Sequence, residues 1–133
     1  AEGPGSNVGK PGKVLADLVE KLSGNVDLIV TIDAALKLEG EELGEIAEGV
    51  GAAIGDPGPE KIAIERATSR HNIQLSAIVI KMGLPEALHA MKKELYEAVE
   101  RTVDYLLNLI KNATKEGSTI IIAGIGNSIG VAQ

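Results

Sequence analysis

Asp33 is the residue best placed to do chemistry. It follows directly on the apolar run Val26–Ile32 (VDLIVTI). A carboxylate set straight after a buried strand is costly unless it is solvated, paired or bound to a cation. The nearest bases along the chain are Lys21 and Lys37, so a local ion pair is available but not forced. Three glycine-rich segments supply a second kind of chemistry: GPGSNVGKPG (Gly3–Gly12), EGVGAAIGDPGP (Glu48–Pro59) and GIGNSIG (Gly124–Gly130). Glycine lets a backbone approach a ligand closely, and N–H groups at a helix start attract anions. Gly5, Ser6, Asn7, Gly49, Gly51, Gly126, Asn127 and Ser128 are therefore the expected ligand-binding positions, with Asp33 orienting the ligand, a metal or a water. If Asp33 is catalytic, Glu39 and His89 are its candidate helpers around a divalent cation, the one cofactor the residue types suggest.

Each motif also has a plainer reading. GPGSNVGKP is not a phosphate-binding Walker loop: Pro4 stands where the first glycine belongs, and Pro11 replaces the magnesium-binding Ser or Thr. A tight strand-to-helix turn explains it equally well. GIGNSIG has the wrong spacing for a dinucleotide fingerprint. From Glu39 to Glu60 there are seven acidic residues and no Lys or Arg, which describes a solvated loop as well as a cation site. His89 falls beyond the carboxyl end of the Ile73–Ile80 run, on the side of Asp33, whereas His71 falls at its start on the opposite side.

Composition removes whole classes of function. With 19 acidic against 13 basic residues the net charge is −6, so the clustered cations of a sequence-independent nucleic-acid binder are missing. No Cys is present, which excludes disulfides, thiolate zinc sites, iron–sulfur clusters and a Cys nucleophile. Tyr96 and Tyr105 are the only aromatics, too few for base-stacking platforms or aromatic cages. No apolar run reaches the roughly 18 residues that span a bilayer, and no signal peptide opens the chain. The expectation is a cytoplasmic domain without membrane contact. The 133 residues suit a single α/β domain over 1–133, and a start at Ala1 within a glycine loop suggests a piece of a longer chain. Fifteen Ile, plentiful Glu and Lys and few Gln hint at a thermophile.

The elements that must position these residues follow from hydrophobic periodicity and its punctuation. Helices are predicted over 13–23 and 59–71, and from Pro85 to about Lys115 with a break near His89. Strands are predicted over 26–32, 44–48, 73–80 and 119–125. This alternation implies a three-layer α/β/α domain with a mixed, mostly parallel sheet covered on both faces. In such a sheet ligands gather at the carboxyl ends of the strands, so Asp33 and the glycine segments should converge on one rim. Ile120–Ile122 should be a central, fully buried strand. The late helix, taken from Ala90 to Lys115, would span about 39 Å. A domain of this size is only about 36 Å across. Residues 103–110 are also apolar on more than one face, so a homo-oligomer through this helix is expected.

Leu28–Lys61 together with the closing AGIGNSIGVAQ resembles an archaeal family defined only as a domain of unknown function. The resemblance implies a longer parent, attached to a membrane through an N-terminal hydrophobic region, with this chain as its soluble C-terminal domain. It implies no activity. A more distant likeness joins Ile32, Asp33 and Ala34, a glycine-rich loop, a helix and NIQLSAIVIKM. This layout is similar to the spore germination protease and the hydrogenase maturation endopeptidases, which implies a phosphorylase/hydrolase-like sheet and a catalytic or metal-binding Asp33. The earlier glycine loop of those enzymes holds a second acid, where this chain has Ser6 and Asn7. Three readings stand: a module binding a small anionic or metal-bound ligand at the rim, a metal-dependent peptidase-like hydrolase, and an assembly module.

Overall fold

The computed structural model describes residues 9–55 and 58–126. Helix α1 (Pro11–Lys21) opens on a proline, whose missing N–H costs nothing in a first turn. It is followed by β1 (Leu28–Leu36), β2 (Ile46–Val50), α2 (Pro59–His71), β3 (Gln74–Met82), the short α3 (Leu84–Leu88), α4 (Lys93–Ala113) and β4 (Ile120–Gly124). The strands form one sheet in the order β2-β3-β1-β4, with β1 parallel to β3 and β4, and β2 antiparallel to β3.

Period-two alternation divides the core between the faces of the sheet. On one face Ile29 and Leu75 pack with Leu15 and Val19 of α1 and Ile64 and Ala67 of α2. On the other, Leu28, Val30 and Ile78 pack with Leu109 of α4. This is the expected three-layer α/β arrangement with a mixed sheet. The first two helices meet closely at their starts. Glu60 of α2 accepts the Lys13 N–H of α1 at 3.0 Å, filling the place of a side-chain cap on a helix that has none of its own. A side chain on Gly12 would collide with the Glu60 backbone, so only glycine permits this approach.

Three expectations are corrected. Asp33 does not follow β1 but lies inside it, sixth of nine residues, opposite Val79. The Ala34 and Ala35 that looked like the start of a loop extend the strand because β3 pairs with all nine residues. The Ile120–Ile122 run is not a central, fully buried strand. Among the described residues β4 pairs with β1 alone, and Ile122 is 51% exposed. Finally, α4 begins at Lys93 and has 21 residues, so at about 1.5 Å per residue it does not outrun the domain. The break near His89 is present, between α3 and α4.

Candidate functional site

Side-chain parity puts Thr31 and Asp33 on the α1/α2 face of β1, continuing the column begun by the buried Ile29. Thr31 is fully buried, and its hydroxyl is satisfied twice: it accepts the Ala53 N–H at 2.8 Å and donates to the Ser76 carbonyl at 3.4 Å. The first of these bonds ties the loop after β2 across the carboxyl half of β1. Two residues further on, Gly55, at φ 78°, lies so close that a Cβ there would be 3.5 Å from Asp33 Oδ2. The left-handed backbone and the near carboxylate both call for glycine.

The main-chain directions explain the other carboxylate oxygen. Ile125 N–H donates to the Ile32 carbonyl at 2.7 Å, so Ile32, and two residues later Ala34, turn their backbone groups toward β4. The β1–β4 pairing ends at Ile32 and Gly124. The Ala34 N–H is satisfied instead by Asp33 Oδ1 at 2.8 Å. Oδ1 thus stands in for the strand that has ended, while Oδ2 is turned toward Gly55. Asp33 is half-buried, and burial pushes its carboxyl above the ordinary range, with the Ala34 hydrogen bond opposing the shift. Among the described residues no Lys, Arg or His pairs with it. Lys37 donates to the Glu41 carbonyl, and Lys81 pairs with Glu41 at 2.6 Å.

The expected site residues divide accordingly. Gly126 follows β4 at the same end of the sheet as Asp33, with open space where a side chain would be. Gly49 and Gly51 lie elsewhere. Because β2 is antiparallel, its end runs back to Ala77 and Ser76, and the Gly51 N–H reaches the Leu75 carbonyl in the first half of β3. Within that glycine-rich segment it is Gly55 that reaches Asp33. Gly5, Ser6, Asn7, Asn127 and Ser128 lie outside the described residues. Glu39 is exposed in the loop beyond Leu36, and exposed His89 uses Nδ1 on the Pro85 carbonyl at 2.7 Å, closing α3. Neither joins Asp33, and among the described residues no three His, Asp or Glu side chains gather as a metal site requires. The physical reason is the length of β1, which carries the chain three residues past Asp33 before Glu39 can turn.

A family model described as "Domain of unknown function (DUF1512) C-terminal" matches residues 1–132. The chain belongs to that family. No curated protein and no solved structure matches it. Among the described residues of this DUF1512 C-terminal domain, no helix is long and apolar enough to cross a membrane.

Sequence reasoning missed a second concave surface. It is a groove of about 700 Å³ on the α4 side, lined by Glu48 of β2, Gln74 and Ser76 of β3, and Tyr105, Asn108 and Asn112 of α4. The Tyr105 hydroxyl bonds Glu48 across it, and that charge pushes the phenol above its ordinary range. The available signal was the spacing of Tyr105, Asn108 and Asn112, which places three hydrogen-bonding side chains on one helical stripe.

Proposed function

We propose that the domain binds a small ligand at the carboxyl rim of its sheet, with Asp33 as the orienting group. The observation that carries this reading is the Asp33 carboxylate itself: half-buried, raised above its ordinary range, without a basic partner among the described residues, and with Oδ2 turned toward a glycine that leaves it room. Local charge chooses between a bare anion and a metal-bound one. Asp33 and Glu60 are both acidic, and Glu60 already occupies the start of α1. A bare anion would be repelled, whereas a metal-bound anion or a ligand with a cationic donor offsets the buried charge. Native mass spectrometry and metal analysis of the purified protein test this. The expected result is a bound species lost in Asp33→Asn. The reading fails if the variant keeps the same species. It also fails if the parent carries none and magnesium with inorganic phosphate leaves its Asp33 carboxyl resonance unmoved.

A second reading, self-assembly through α4, is favoured by one specific row. Tyr96, Val99, Val103 and Leu107 follow one another at helical spacing and are all exposed. Such a stripe is the geometry of a helix–helix seam. Sedimentation of the parent at high micromolar concentration should show a dimer that Val103→Glu dissolves. A clean monomer would end this reading.

A further inference from the structure

We propose that the groove between β2, β3 and α4 binds a neutral, hydroxyl-rich ligand of the saccharide class. Its construction is independent of the Asp33 rim. Gln74 and Ser76 share the face of β3 that carries Ile78, and Glu48 is paired in register with Ile78, so all three turn toward α4. From α4, Tyr105, Asn108 and Asn112 descend on one stripe to meet them, and Leu109 and Ala113 complete the lining.

The chemistry of the lining selects the ligand. It contains no Lys, Arg or His, so a phosphate or carboxylate would find no neutralising charge. It contains three side-chain amides, a hydroxyl, a phenol and a carboxylate, so a lipid or apolar peptide would strip water from many polar groups and return no hydrogen bonds. Each amide offers two donors and an acceptor within one planar group. Sugar hydroxyls, which donate and accept at once, can use both. Among the described residues the side chains of Gln74, Asn108 and Asn112 have no hydrogen-bond partner, so this capacity is available. One of the two aromatic rings of the chain, Tyr105, stands in the same lining, where it offers a face to the C–H side of a pyranose. The volume lies within the range of small-ligand sites, about 300–1,000 Å³.

The test is a titration followed by nitrogen–proton NMR, with glucose, N-acetylglucosamine and maltose as probes and glucose 6-phosphate and a neutral tetrapeptide as comparators. The expected result is a saturable shift of the side-chain amide signals of Gln74, Asn108 and Asn112 with at least one sugar, weaker for the phosphorylated one. Asn108→Ala and Asn112→Ala, both at exposed helical positions that keep the fold, should each weaken binding about three- to tenfold. Asp33→Asn should leave it unchanged, which separates this site from the rim. The proposal is overturned if no sugar moves these signals, if the shifts centre on other residues, or if the tetrapeptide binds more tightly than every sugar.

Discussion

Replacing Gly12 by alanine should loosen the contact that fixes the starts of α1 and α2. The added Cβ would lie 2.7 Å from Glu60 Cα and closer still to the Glu60 carbonyl, whereas ordinary contacts begin at 3.4 Å. The obstacle is backbone, which cannot rotate away as a side-chain tip would. The helices must therefore part by at least 0.7 Å, the gap between 2.7 and 3.4 Å, and that separation stretches the 3.0 Å bond from Lys13 N–H to Glu60. Overpacking of this kind costs about 1–3 kcal/mol. A lost N-terminal cap adds about 1 kcal/mol. Alanine's helix propensity returns at most about 1 kcal/mol. The net expectation is a loss of about 1–3 kcal/mol, which for a chain of this length lowers Tm by about 4–12 °C. Gly49→Ala is the control, since nothing lies within 4 Å of its Cβ position. Circular dichroism melts of the parent and both variants read the difference. A Gly12→Ala protein that melts at or above the parent would refute the close-approach argument.

Asp33 gives a prediction with a definite sign in pH. Its folded-state pKa is raised, so the native protein holds this proton more tightly than the unfolded chain, and parent stability should fall as pH rises from 3.8 through the raised value. Asp33→Asn, which keeps an oxygen for the Ala34 N–H, should be at least as stable at neutral pH and lose that advantage below 3.8, as urea melts across pH would show. Asp33→Ala removes the acceptor and should cost about 1 kcal/mol more than Asn in the same melts. Thr31→Val strands the Ala53 N–H and should cost about 1–3 kcal/mol, measured by urea denaturation. Ile78→Ala, in the fully buried centre, should cost about 2–5 kcal/mol, whereas Ile122→Thr on the edge strand should cost under about 1 kcal/mol; equal losses would contradict the strand order.

Helix and strand alternation was legible in the chain because its signals are local. Pro59 and Asn72 bracket α2, and the Ile- and Val-rich runs mark β1, β3 and β4. What was not legible depends on partners far away in sequence. Ile120–Ile122 has the composition of a central strand, but centrality is set by how many neighbours pair with it, and β4 has one among the described residues. Asp33 looked like a strand terminus because Ala34 and Ala35 are weak strand formers, yet pairing with Ile80 and Lys81 overrides that preference. The direction of β2 carries no sequence mark, and its reversal is what moves Gly49 and Gly51 away from the rim while Gly55 arrives there. The groove was invisible for the same reason, since its lining comes from three elements and only the α4 stripe is contiguous.

Strand β1 changes character along its length. Its first five residues lie between two neighbours, and from Asp33 onward only β3 remains beside it. Opening free energies should therefore form a gradient within a single strand: amides near Val30 exchange with solvent only on global unfolding, while those of Ala34 and Leu36 exchange through local fraying at far lower cost. The carboxylate sits at the step between these regimes and holds the first amide of the weaker one. Anything that immobilises Asp33 would slow exchange at Ala34 and Leu36 and leave Val30 unchanged, so occupancy of the rim is written into the protection pattern of three alternate amides.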